Sequence, residues 1–192
     1  MLDKNDLSML REQLDRADEA REQVIKQSRE VVRKSKEVIY ALHRDDATTS
    51  KKVQELEELF KKLYEFVKDK PRLLFSGSFK VAAQEYAEAR ILHDLLTKKR
   101  IPTSKELQLE PEHYLLGLID VTGELVRRAI NQSIKGNTKD ALMLKDAVSE
   151  IYDELMLFEF SNGELRKKFD SIKYDLQKLE NLILDLHLTG KL

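Results

Sequence analysis

The sequence predicts an all-α fold, a seven-helix bundle with long N- and C-terminal helices in one domain spanning residues 1–192. Three observations carry this prediction. Six Gly and three Pro in 192 residues leave few places for the chain to turn. No segment alternates apolar and polar residues with period two for more than a few residues, as a half-buried strand must. Apolar residues instead recur at steps of three and four over long stretches, which is the period of a helix that buries one face.

The first helix is predicted from Leu7 to about Arg44, a run without Gly or Pro. Leu7, Leu10, Leu14, Ala17, Val24, Val31, Val38 and Leu42 form its seam, about 55 Å long at 1.5 Å per residue, interrupted by Arg21, Ser28 and Ser35. Asp45 to Ser50 reads as a turn, with Thr48, Thr49 or Ser50 capping a second helix that runs to about Asp69. Pro71 suits the first turn of a third helix, predicted to reach Lys99. After a break at Arg100–Pro102, Thr103 and Glu106 have the spacing of a capping box for a short fourth helix. Pro111 opens a fifth helix to about Ile134, and Gly136-Asn137-Thr138 turns the chain into a sixth that ends near Phe160. Ser161 and Glu164 have capping-box spacing for the seventh. In that helix Leu165, Phe169, Ile172, Leu176, Leu179, Ile183 and Leu186 alternate steps of four and three without a miss, a packing seam within the chain or between chains.

Composition excludes several classes of function. There is no cysteine, so disulfides and thiolate metal sites are ruled out, and a cytoplasmic location is expected. The opening MLDKNDLSML is too charged for a signal peptide, and no apolar run approaches the roughly 20 residues of a membrane span. Net charge is −1, so a nucleic-acid surface has to come from local clusters.

Two groups of carboxylates stand out. In the third helix Val81, Glu85, Glu88, Leu92 and Leu95 share one stripe, while Arg90 and Asp94 supply a polar face on the other side. Glu85 and Glu88 therefore interrupt an apolar face one turn apart. Two adjacent buried acids are costly unless paired, protonated or bound to a cation. A divalent-metal or acid/base site answers this, and so does a partly exposed groove or pairing with a basic residue of a neighbouring helix. In the fifth helix Asp120 and Glu124 lie one turn apart on the side of His113, Arg127 and Asn131, where by spacing alone an ordinary solvated face is the better account. Gly117 and Gly123 of that helix mark either the close approach of another helix or room for a ligand. A ferritin-like di-metal centre requires Glu-x-x-His on two helices, and the chain has that spacing only at Glu110–His113. His43, His93 and His187 show no partner at ligand or catalytic spacing and receive no role.

Gln84-Glu85-Tyr86-Ala87-Glu88-Ala89 and the run from Tyr114 through Asp120 and Glu124 to Leu125 resemble the translin family, most closely its translin-associated factor X branch. Lys26-Gln27-Ser28-Arg29-Glu30, Ser35-Lys36 and Leu42-His43-Arg44 resemble that branch too, whereas Leu165 to Asp175 is more similar to translin itself. The resemblance covers almost everything after about residue 20. It implies a seven-helix fold assembled into hollow homo-oligomers, commonly octamers, that bind single-stranded RNA and DNA. In the factor X branch it further implies magnesium-dependent endoribonuclease activity. The matching catalytic positions are Glu85, Glu88 and Asp120, and Glu124, which matches a Glu of both branches, joins them as a ligand of Mg2+ or Mn2+. For nucleic-acid contact we single out Lys26, Arg29, Arg33 and Lys36, which line one face of the first helix among Glu22, Glu30 and Glu37, together with Arg127 and Arg128. Tyr86 and Tyr114 are either stacking platforms for bases or core residues. The rival reading is a non-catalytic scaffold for single-stranded nucleic acid.

Overall fold

A computed structural model describes residues 2–192, and among them there are eight α-helices and no strand. Helix α1 (Lys4–His43) begins three residues before the expected Leu7, because the Asp3 carboxylate accepts from the amides of Asn5 (2.8 Å) and Asp6 (3.2 Å). Helix α2 (Thr49–Val67) starts where expected. The side chain that serves this turn is Asp46, which accepts from the Thr48 amide at 2.8 Å and the Thr48 hydroxyl at 2.7 Å. The third predicted helix is split into α3 (Pro71–Leu74) and α4 (Gly77–Lys98). Ser76 makes the break: its hydroxyl donates to the Leu73 carbonyl (2.7 Å) and accepts from the Phe79 amide (3.4 Å), closing one helix and capping the next.

Helix α5 (Ser104–Leu107) carries the predicted capping box, with Thr103 and Glu106 satisfying each other's backbone amides. Helix α6 (Pro111–Ile134) has the predicted bounds. Helix α7 (Thr138–Leu155) stops five residues before Phe160, where Phe158 and Phe160 leave the helix and stack 5.5 Å apart. Helix α8 (Glu164–Leu188) follows Gly163, and no side-chain cap forms, so the Ser161–Glu164 box is not realised.

Helix α4 runs through the middle of the bundle, packed between α1 and α6; α2 lies on α1, and α7 and α8 lie on α6. The core follows these contacts, from Val31 and Val38 through Leu56, Phe60, Ala87 and Leu92 to Leu116, Leu125, Leu144, Ile172 and Leu179. Ser28 and Ser35, which interrupt the α1 seam in sequence, are buried, and α1 packs along α4, whose Ala82, Ala83 and Ala89 are buried too. The supposed polar face of α4 is also interior. Asp94 is 1% exposed and holds Lys98 (3.0 Å) and His93 (2.8 Å), and Arg90 is buried against Glu57 and Asp94. The first half of the α1 seam behaves oppositely: Leu7, Leu10 and Leu14 are exposed, and burial begins at Val24. No described helix is long and apolar enough to cross a membrane.

Candidate functional site

Three helices supply the site. Helix α4 contributes Glu85 and Glu88, α6 contributes Glu124 and Arg127, and α1 contributes Lys36, Ile39 and Tyr40; together they line a pocket of about 240 Å3. Glu85 has a weak partner, with Oε1 3.7 Å from Lys36 Nζ, and burial, with the charge of Asp120 adding, pushes its carboxyl above the usual range despite that lysine. Glu88 has no ion-pair partner among the described residues. Burial, and then the charges of Asp120, Glu85 and Glu124, push its pKa up to about 8.

The other two acids are already engaged. Asp120 accepts from Lys168 Nζ of α8 through both oxygens, at 2.6 and 2.7 Å, and from the Gln84 amide. Glu124 is bonded to Nε2 of the buried His43 and lies 3.5 Å from Arg127; the His43 bond holds its carboxyl below the usual range against the opposing effect of burial. The acids therefore share one field but do not converge, and among the described residues no three His, Asp or Glu side chains are placed to hold a metal ion together. As a donor set they suit Mg2+ or Mn2+, which favour oxygen ligands. Glu88, buried without a counter-cation, is the group such an ion would relieve. Glu88 has no cation to displace and Glu85 only Lys36 at 3.7 Å, whereas Asp120 and Glu124 reach an ion only by releasing Lys168 and His43.

Sequence reasoning missed two of these partners. His43 continues the line Lys26, Arg29, Arg33, Lys36, Tyr40 at three- and four-residue steps, so its face was readable in the sequence although its partner was not. Lys168 sits within an Arg-Lys-Lys cluster with nothing in its spacing to distinguish it.

The basic residues divide into two sets. Lys26, Arg29 and Arg33 are exposed and form no ion pair among the described residues. Arg29, Arg33 and Lys36 border a groove of about 900 Å3 whose apolar lining includes Ile25, Val32, Val81 and Tyr40. Lys26 lies with Arg29 and Arg33, and with Glu22 and Glu30, in a smaller depression of about 340 Å3 that shares Ile25 with it. Lys36 and Tyr40 line both the groove and the carboxylate pocket, so the two adjoin. Arg127 belongs to the pocket, its guanidinium 5.4 Å over the Tyr40 ring. Arg128 does not belong to this surface. It donates to the carbonyls of Leu42 (2.9 Å) and His43 (3.3 Å) and to Asp45 (2.5 Å), closing the C-terminus of α1. Tyr86 is a core residue stacked 3.9 Å from Phe60, and the Tyr114 hydroxyl donates to the Pro102 carbonyl, so neither is free as a platform for a base. Gly117 marks close helix approach: a Cβ there would stand 2.4 Å from that of Ala87.

Comparison with known proteins agrees with this picture. The model of the translin family matches residues 19–190. An uncharacterised protein of Methanocaldococcus jannaschii is 31% identical, covering 96% of this chain and 87% of its own. Translin of Gallus gallus is 30% identical over 62% of this chain and 52% of its own length, and translin-associated protein X of Pongo abelii is 24% identical over 93% and 76%. Among solved structures, apo-NeC3PO superposes with a TM-score of 0.87 at 30% identity, covering 96% of this chain and 97% of that one. AfC3PO in complex with duplex RNA reaches 0.87 at 24% identity, over 95% and 97%.

Proposed function

Because the chain belongs to the translin family, we propose that it is a cytoplasmic, Mg2+-dependent endoribonuclease that binds single-stranded RNA, and single-stranded DNA as well, and works as a homo-oligomer, an octamer. The observation that carries the reading is the junction at Lys36 and Tyr40. There a groove edged by unpaired arginines opens onto a pocket holding a buried carboxylate with no counter-cation.

Arg29 and Arg33 suit a phosphate backbone running along α1, because neither is committed to an acid of the same chain. Lys36 lies where the backbone would pass from the groove to the carboxylates. Glu85 and Glu88 repel that phosphate by themselves and assist only with a cation between. A bound Mg2+ or Mn2+ would supply charge neutralisation at the phosphate and an acidified water. In this reading Glu85 and Glu88 hold the ion. Asp120, poised by Lys168 and Gln84, and Glu124, poised by His43, complete the acidic set. The exposed seam of Leu7, Leu10 and Leu14 supports association between copies.

The test uses one single-stranded RNA, with Mg2+ and with EDTA, and Glu85→Ala, Glu88→Ala and Asp120→Ala beside the wild type. Cleavage is expected to require the metal and to disappear in each variant, while binding in EDTA persists. Full cleavage by Glu88→Ala ends the nuclease reading. The pairing of Asp120 with Lys168 and of Glu124 with His43 favours the second reading, a non-catalytic scaffold, which predicts tight binding without any metal-dependent cleavage.

A further inference from the structure

The groove beside the carboxylates is more apolar than a phosphate track requires. Phosphate contacts need only cations and backbone amides along an open surface. Here Ile25 and Val32 are half-buried in the lining, and Val81 and Tyr40 are each 50% exposed, so large apolar side chains face solvent side by side beneath Arg29, Arg33 and Lys36. Ser28 also lines the groove; it is 2% exposed, and its hydroxyl has no hydrogen-bond partner. Buried hydroxyls without partners are uncommon, and each calls for an explanation. At about 900 Å3 the groove is within the range of roughly 300–1,000 Å3 typical of small-molecule sites.

Apolar area, an unsatisfied hydroxyl in the lining and a rim where Arg29, Arg33 and Lys36 outnumber Glu37 together match a nucleotide: a planar base with a polar edge, joined to a phosphate. We infer that this groove is a subsite for one unstacked nucleobase of the bound strand, adjacent to the phosphate delivered to Glu85 and Glu88. The base rests on Val32, Val81 and Tyr40, its own phosphate lies on Arg29 or Arg33, and its edge reaches the Ser28 hydroxyl once that buried side chain turns out into the groove. This inference rests on the RNA-binding reading and adds to it that a base next to the cleaved bond is held by α1 and the start of α4. Nothing in the groove suits a paired base, whose faces are covered by its neighbours and whose edge is in use.

Gly77 provides a clean way to close the groove. It lines the open end, and a Cβ at this position would meet no atom within 4 Å. Gly77→Leu therefore fills the cavity without disturbing the backbone. Val81→Gln, at a half-exposed position of α4, removes apolar floor and serves if the first variant melts early. The probes are a single-stranded RNA oligomer and an abasic ribose-phosphate oligomer of the same length, bound in EDTA and followed by fluorescence anisotropy. Wild-type protein is expected to bind the RNA about five- to hundredfold more tightly than the abasic strand, the range for losing one stacked base. Either variant should bring that ratio close to one by weakening RNA binding alone. Equal wild-type binding to both strands overturns the subsite and leaves the RNA reading intact. Binding of neither strand fails the RNA reading itself. Variants that keep the full ratio overturn the subsite, and if they also change oligomer mass the groove is an interface between copies.

Discussion

Replacing Glu88 with Gln should stabilise the metal-free protein, and by an amount that depends on pH in a specified way. The side chain keeps its shape and loses only its charge. In the folded protein the carboxyl is raised from 4.5 to about 8, by burial first and by the charges of Asp120, Glu85 and Glu124 after it. The folded state therefore holds a proton that the unfolded chain releases. Below pH 4.5 both states are neutral at this position and burial carries no charge penalty. From there upward the unfolded state gains about 1.4 kcal/mol per pH unit until about pH 8, where the folded carboxyl ionises too and the penalty levels off. The accumulated cost at pH 8.5 is on the order of 3–5 kcal/mol. For a chain of this size about 2–4 °C accompanies each kcal/mol, so Glu88→Gln should melt roughly 6–20 °C higher at pH 8.5 in EDTA and at the wild-type temperature at pH 4. Differential scanning calorimetry at fixed protein concentration across that range is the assay. An equal gain at both pH values, or none at pH 8.5, would refute the claim that an unpaired buried charge sits at position 88.

Gly117→Ala should cost about 1–3 kcal/mol or more, since its Cβ would meet Ala87 Cβ at 2.4 Å and the Gln84 carbonyl oxygen at 2.8 Å, whereas Gly123→Ala, whose nearest neighbour is 3.8 Å away, should be neutral or up to about 1 kcal/mol stabilising; urea melts separate the two. Arg128→Ala should lower stability by about 1–3 kcal/mol through the lost α1 cap and leave RNA affinity unchanged, while Arg33→Ala should leave stability within about 0.5 kcal/mol and reduce the slope of log affinity against log salt by about 0.7. Lys168→Met should destabilise by about 1–2 kcal/mol at pH 7, because it strands Asp120 with only the Gln84 amide, as chemical melts would show.

Local chemistry is what made the fold readable. Pro71, Pro111, the Thr103–Glu106 box and the Gly136 turn act within a few residues of their own positions, and the helices they open begin where the sequence places them, although the one at Pro71 ends after four residues and the one after Gly136 stops short of Phe160. Glu85 and Glu88 were visible because they interrupt a stripe. Misreadings arose where a third body intervened. Arg90 and Asp94 look like a solvent face because amphipathic reasoning grants each helix one buried side, yet α4 is enclosed by α1, α2 and α6 and buries its ions as a network. Arg128 looks like half of an Arg-Arg cluster because its acceptors, the last carbonyls of α1, are more than eighty residues away in the chain. Lys168 and Asp120 meet only because α8 folds back along α6.

The contact at Gly117 bears on how quickly and how selectively the acidic pocket can act. The atoms nearest to its missing side chain are the Ala87 Cβ, the Gln84 carbonyl oxygen and the Glu88 amide nitrogen, and the last two bracket the single turn that carries both glutamates. The height of that turn above α6 is therefore set by main chain and the Ala87 methyl, none of which has a rotamer to fluctuate or to be frozen when an ion or a phosphate arrives. A cluster mounted in this way loses little conformational entropy on binding, and it tolerates poorly any ion whose radius demands a different spacing. The same rigidity leaves adjustment to the flexible partners, Lys36 and Lys168, whose long side chains can withdraw without moving a helix.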